Sequence, residues 1–381
     1  MTADTATNAS DNEAKKALLR AVLRPIGAVS LGLLVVALFI GLSGYNVPQV
    51  FSSLFIGATG LQLAPFKVDP FPLAQSLAQT APLLFTGAAI AFALRAGLFN
   101  IGAQGQMVVG AVAAAVVGIW NPTLFGPVHI ALCLLAGGLG GGLLGAVAGL
   151  LKAYRHVHEV LSTIMLNYIA ADAADYLVTH GLKERHSMAP QTVKIAQAAY
   201  LHPFVSGSGL NAGLLVAIAA AVGASLIVKY TSLGFRIRTV GESHDAATAA
   251  GYNVPWVLTV TMFISGFLAG LAGAVLVLGL EHRYIKDMTG EYGFDGISVA
   301  LLGGASSVGV TVAALFFGGL TSGAGYMSLQ TNVPDSIAIV VQAVVVLFAG
   351  ARAVPWRGRR FARANTLLST RVTGREEPPV E

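Results

Sequence analysis

The side chains in this sequence best equipped to hold a polar solute are amides, and they sit in apolar surroundings. Asn100, Gln104 and Gln106 fall in the Gly-rich run 96–106, while Thr163 and Asn167 stand four apart, on one face of any helix that contains them. A second Gly-interrupted stretch carries Asp295, and Phe99 and Phe294 flank the two Gly-rich turns. Amides present paired donors and acceptors without net charge, and phenyl faces stack on planar rings, so this set suits a neutral, partly aromatic solute. The competing role for the same groups is to satisfy one another and the backbone where a helix is interrupted at membrane depth. Catalytic equipment is missing. No G-x-x-x-x-G-K-S/T, H-E-x-x-H or G-x-S-x-G run occurs, so no catalytic residue, metal site or cofactor is expected. His156 and His158 bracket Val157 and read as an interfacial loop, and the single cysteine, Cys133, excludes disulfide frameworks and CxxC sites.

The elements that must position these residues are long and apolar. Of 381 residues, 55% are hydrophobic and 11% charged, and the mean hydropathy is +0.71. Soluble domains carry about 25% charged residues. Seven of the 41 charges lie in residues 1–26 and ten in 351–381, and none occurs between Ala96 and Leu151. The fold class is therefore an all-α polytopic membrane protein. The net charge of +5 follows from the tails and marks a membrane side rather than a nucleic-acid partner.

About ten transmembrane helices are predicted, at 26–44, 73–94, 103–120, 127–150, 159–178, 211–229, 255–280, 294–304, 309–327 and 335–351. The Tyr45–Pro72 segment, with four prolines, reads as an outer loop lying partly in the interface. Lys15, Lys16, Arg20, Arg24, Lys152, Arg155, Lys229, Arg236, Arg238 and the arginines after Arg352 all vote for the cytoplasmic side, which demands an even number of crossings. That count needs the short 294–304 segment to cross or half-cross. The domains follow: a cytoplasmic polar N-terminus (1–25), a transmembrane domain (26–354), and a basic then acidic cytoplasmic tail (355–381) of disordered composition.

Two Gly-broken segments, 96–106 and 292–304, each follow a span of opposite direction. This positional pattern, without sequence identity between the halves, is what an inverted repeat produces, and such breaks meet near the midplane in transporters. Gly137, Gly141, Gly145 and Gly149 share one helix face, and Gly266 and Gly270 repeat the device, so close helix packing is expected. In the polar segment 230–253, Ser243 suits an N-cap, Asp245 the first turn, Ala246–Ala250 the body and Gly251 the closing left-handed residue of a short helix.

That segment resembles the coupling loop of ABC importer permeases, with Gly234, Arg236, Gly241, Ala246 and Gly251 placed as in the simple-sugar and nucleoside group. The runs LRAGLFNIGAQGQMVVGA (94–111), EVLSTIMLNYIA (159–170) and GFDGISVALLGGASSVGV (293–310) are similar to the nucleoside-uptake branch. Ser306 and Ser307 depart from the branch pattern, which has Asn or Pro nearby. The resemblance covers roughly residues 26–354. It implies a permease subunit that forms a nucleoside path by alternating access. It also implies partners: an ATP-binding-cassette subunit docked on the coupling loop (with Glu242 and Asp245), a second, paralogous permease, and an extracytoplasmic solute-binding lipoprotein. The chain itself is then not an enzyme, lies in the lipid bilayer of the cell membrane with both termini cytoplasmic, and binds no nucleic acid. Sugar or amino-acid import within the same superfamily, and ion-coupled secondary transport, are the alternatives; the scarcity of intramembrane acids opposes the last.

Overall fold

A computed structural model describes residues 32 and 34–344 except 64–65, 121–123, 185–186, 305, 332, 335, 337–338, 341–342. The N-terminal segment, the C-terminal tail, the start of the 26–44 span and most of the 335–351 span lie outside the described residues.

A helical run over 34–42 (α1) leads into α2 (Val47–Thr59), where an outer loop was expected. The signals were local. The Asn46 side chain accepts from the Gln49 amide, a proline occupies the first turn, and Gly60 closes the helix in the left-handed region. A two-stranded antiparallel hairpin, β1 (Leu61–Leu63) with β2 (Phe66–Val68), then turns the chain into α3 (Pro70–Leu94), capped by Asp69. There follow α4 (Ala103–Ile119), α5 (Gly126–Arg155), α6 (Glu159–His180), α7 (Gly213–Tyr230), α8 (Ser232–Glu242) and α9 (His244–Ala249). The described chain closes with α10 (Val254–Leu276), a π-helical turn (Val277–Glu281), α11 (Tyr292–Leu302) and α12 (Ser307–Thr331).

Among the described residues, five helical stretches are long and apolar enough to cross a membrane: α3, α5, α7, α10 with its π turn, and α12. Helices α2, α4 and α11 are apolar but shorter, and α6, with Glu159, Asp172 and Asp175, is not among the five. At 1.5 Å per residue α11 spans about 16 Å, roughly half of a 30 Å hydrocarbon layer.

Helices α3 and α10 are mostly buried, whereas α5 and α7 turn much of their apolar surface outward. The layout of α5 explains how it does both. Leu135, Leu139, Leu143 and Val147 are exposed, and each is offset by two positions from the glycines at 137, 141, 145 and 149, placing the two rows on opposite faces. The glycine face lies on α10, the most extensive helix pair among the described residues. A Cβ on Gly270 would stand 2.2 Å from the Gly137 carbonyl oxygen, and one on Gly141 would stand 2.4 Å from that of Gly266. Backbone meets backbone, as the spacing predicted. Without water to drive helices together, such contact supplies dispersion energy that larger side chains would hold off.

Gly270→Ala should accordingly lower the melting temperature of the detergent-purified chain, by about 1–3 kcal/mol of overpacking. Gly223→Ala, on α7, adds a methyl that meets nothing within 4 Å and should leave it unchanged. Equal effects of the two substitutions would show that the α5–α10 approach is not tight.

Candidate solute site at two broken helices

Helix α3 ends at Leu94, and residues 95–97 turn the chain back. Residues 98–102 then lead into α4. The Asn100 side chain ties this connection to α10 and, through it, to α3. Its Nδ2 donates to Ser265 Oγ on α10 (2.8 Å), and Ser265 in turn donates to the Ala89 carbonyl of α3 (2.7 Å). Asn100 and Gln106 also form a reciprocal amide pair, 2.9 and 3.2 Å, and Asn100 Oδ1 accepts the Gly102 amide at 3.0 Å. Both side chains are fully buried.

A helix that starts inside the molecule exposes its first amides, and the residue at the N-cap, Gly102, has no side chain to receive them. Asn167 does so from α6. Its Oδ1 accepts the Gly105 amide (2.8 Å) and its Nδ2 donates to the Ile101 carbonyl (3.0 Å). Thr163, one turn earlier, is buried against this segment and its hydroxyl donates to the Glu159 carbonyl of its own helix (2.7 Å).

The second break meets the first. Gln104 Nε2 donates to the Gly290 carbonyl (2.6 Å) and to Thr289 Oγ1 (3.1 Å), while its Oε1 accepts the Gly293 amide in the first turn of α11 (2.8 Å). A Cβ on Gly293 would stand 2.3 Å from the Cα of Gln104, so only glycine permits the approach. The Thr86 hydroxyl of α3 binds the Tyr292 carbonyl (2.9 Å), and the Tyr292 hydroxyl binds Gln79. The expected meeting of the two Gly-broken segments is thus present, clasped by one glutamine. Phe294 is 42% exposed beside this junction, Phe99 is half-buried, and Asp295 lies in the first turn of α11.

Several residues that complete the site were not singled out from sequence: Ser265, Thr289, Tyr292 and the pair Gln75 and Gln79. The last two line a small cavity of about 30 Å³ with Asn211 and Tyr292. Their four-residue spacing on α3 is the same signal that marked Thr163 and Asn167. Ser265 carried no such signal, since its partner is 165 residues away.

Beyond the breaks, two loops interlock around the ends of α4 and the π turn. Residues 192 and 195 donate their amides to the carbonyls of Tyr284 and His282, and Ala196 to that of Gly118. Arg283 pairs with Glu184 at 2.9 Å and Lys286 with Asp175; the Asp175 bond holds the Lys286 ammonium above the usual lysine range. Tyr284 is buried here, which pushes its phenol well up.

At the opposite end of α3 lie α8 and α9. Thr231 caps α8, a helix the polar 230–253 segment does not predict in its first half, and its hydroxyl accepts the Gly234 amide at 3.0 Å. The expected short helix is present as α9, with Ser243 Oγ accepting the Ala246 amide (3.2 Å), Asp245 in its first turn, and Gly251 at φ +80°. Ala246 faces outward, as do Glu242 and Asp245, whereas Ala247 is buried. Arg236 lies over the Tyr252 ring, 5.8 Å from its centre. Gly241 rests on the turn after α3, where a Cβ would stand 2.3 Å from the Arg95 carbonyl. In the following turn, Ser306 Oγ accepts the Gly309 amide at 3.1 Å, so the serine caps the start of α12.

Five helices of membrane-crossing length among the described residues, two shorter apolar helices clasped together at their starts, and a capped helix pair at one end are those of a multi-pass membrane protein. Comparison with known proteins specifies the class. Residues 73–350 match the family described as the branched-chain amino acid transport system / permease component, and the chain belongs to that family. It is 39% identical over 339 residues to the guanosine ABC transporter permease protein NupP of Bacillus subtilis (strain 168), covering 87% of this chain and 93% of that one. It is 32% identical over 343 residues to the nucleoside ABC transporter permease protein NupB of Lactococcus lactis subsp. cremoris (87% and 92%). It is also 32% identical over 330 residues to the glucose ABC transporter permease protein TsgB13 of Haloferax volcanii (80% and 86%). As a permease component, the chain lies in the plasma membrane, and ATP hydrolysis belongs to a separate subunit.

Asn167→Ala leaves the Gly105 amide and the Ile101 carbonyl without their partner. The expected cost is about 1–3 kcal/mol, read as a lower melting temperature of the purified chain. Asn167→Asp keeps the acceptor for Gly105 but sets a buried carboxylate against the Ile101 carbonyl, and should lose at least as much. Identical melting of all three proteins would remove Asn167 from the support of α4.

Proposed function

We propose that this chain is the permease subunit of an ATP-binding-cassette importer and forms the path for nucleosides by alternating access. The observation that carries this reading is the 39% identity, over almost the full length of both chains, with a guanosine permease. The site chemistry supports it. A nucleoside is neutral, with an aromatic base and a hydroxylated sugar, and the clasped breaks offer amides and phenyl faces in place of ions. Asn100, Gln106, Thr163 and Asn167 act mainly by holding the break open, since their polar atoms are already engaged there. Gln104, Phe99, Phe294 and Asp295 border the path, and the Gln104 clasp is the contact that changes when the two segments separate.

The domains follow from this reading: residues 26–354 form the permease domain, between the polar segment 1–25 and the tail 355–381. The 230–253 loop is the dock for the ATPase subunit. Gly234, Arg236, Gly241, Glu242, Asp245, Ala246 and Gly251 shape it, with α9 outermost and Gly241 bearing on the turn after α3. Both termini and this loop are cytoplasmic. The chain pairs with a paralogous permease and receives solute from an external binding lipoprotein. The 32% identity with a glucose permease favours a simple sugar as the second reading.

The complex, reconstituted in vesicles with its ATPase, should take up labelled guanosine or other nucleosides in an ATP-dependent manner and not glucose; the reverse preference would overturn the substrate assignment. Ala246→Trp should abolish uptake and solute-stimulated ATP hydrolysis while the permease still inserts, because a bulky side chain on the outward face of α9 spoils a docked groove. Normal transport by that variant would make α9 a surface helix only. In a Cys133→Ser background, His244→Cys should resist an impermeant thiol reagent added outside intact cells. Its labelling from outside would invert the topology.

A further inference from the structure

A second cavity, of about 380 Å³, lies apart from the breaks, between α3, α7, α8 and the start of α12. Three cations border it, Arg95, Lys229 and Arg238, and no acidic residue is among those that line it. Lys229 and Arg95 are exposed, and Arg238 is fixed in place by donating to the Val228 carbonyl at 2.6 Å. Besides the hydroxyls of Ser225, Ser306 and Ser307 the remaining wall is apolar, with the small Ala91, Ala221 and Ala224 leaving the space. Val308, also on the wall, is 77% exposed, so the cavity opens sideways past the start of α12. On either side the exposed residues are apolar: Val222 and Leu226 on α7, Val312 on α12.

A neutral nucleoside gains nothing from three cations, so the solute path does not explain this cavity. Its size falls in the range of small-ligand sites. Cations at one end, small apolar residues along the wall and a lateral opening between apolar helix faces match one kind of occupant, a phosphodiester joined to hydrocarbon. We propose that the cavity holds an anionic phospholipid of the inner leaflet, its phosphate on Lys229, Arg238 and Arg95 and an acyl chain along the alanine wall. Basic recesses between membrane helices on the cytoplasmic side are where such headgroups bind. The inference rests on the cytoplasmic placement of α8 given above. Bound lipid would fill the space between α7 and α12, which touch each other little, and would tie the α7–α8 corner to α3.

The test is lipid retention by the full-length chain purified in detergent and read by native mass spectrometry, with phosphatidylglycerol, phosphatidylcholine or inorganic phosphate added. Phosphatidylglycerol should be retained over phosphatidylcholine, and Lys229→Gln should weaken that retention about fivefold, the effect of one cation near the headgroup. Lys229→Arg should restore it. Lys229→Gln with Arg238→Gln should weaken it further, and the single Lys229 variant, whose side chain is exposed, keeps the test valid if the double variant misfolds. Ala224→Trp fills the apolar wall and should expel the lipid. Equal retention of both lipids, or retention unchanged in Lys229→Gln, overturns the proposal. Displacement of phosphatidylglycerol by inorganic phosphate, with phosphate still bound by Ala224→Trp, assigns the site to free phosphate and also overturns it. Retention is measured without transport, and the topology of α8 is read by the labelling above, so failure here is separable from failure of the proposed function.

Discussion

A helix cannot stop inside an apolar slab unless its loose amides and carbonyls find partners within the protein. That constraint organises the centre of this molecule. The amide that α4 frees at Gly105 is taken by a side chain from α6, while the preceding residues are held by the Asn100–Gln106 pair and by Ser265. The same economy governs the second break, where the amide of Gly293 goes to Gln104. Asn100, Asn167 and Gln104 each tie one segment to another. The consequence for transport is that the breaks are cross-braced, and a change at one is felt at the other through a single glutamine.

Around this braced centre the helices differ in how firmly they are held. Helices α4, α5 and α10 approach each other through glycine backbone, with the lipid-facing leucines of α5 on the far side. Helix α7 has no comparable face; it leans on α3 and on α8 and leaves an open, cation-edged space toward α12. A tightly packed group and a lightly held helix in one chain suit a protein that must keep one part rigid while another shifts.

Much of this was legible in local patterns. Glycines at four-residue spacing foretold the α5–α10 contact because close approach depends only on which face lacks side chains. The α9 helix was readable from Ser243, Asp245 and Gly251 because capping is decided within a turn. Helix α2 was missed although Asn46, Pro48 and Gly60 bracket it, since its prolines weighed toward loop; two of the four lie at helix starts, where proline is tolerated. Helix α8 was missed although Leu233, Ile237 and Val240 form a short apolar stripe at helical spacing, because two glycines and three charged residues within eleven positions weighed toward loop. What the amides do was not legible, because their partners are distant in sequence: Asn167 binds residues 62 and 66 positions away, and Gln104 reaches 189. The π turn at the end of α10 had no local signature either.

Helices α8 and α9 are joined through one residue, Ser243, whose backbone is extended and whose side chain is engaged in capping. One residue contributes two soft torsions, and here the cap restrains them. The corner is therefore stiff, and it has no slack in which a push on α9 could dissipate. Displacement of α9 by a subunit seated on it would swing α8 as a crank, with Gly241 bearing directly on the carbonyl of Arg95. From Arg95 to the start of α4 is only eight residues, so the stroke reaches the first break through a linkage too short to stretch. With α9 as the dock proposed above, the stiffness of one serine hinge would set how much of that displacement reaches the break.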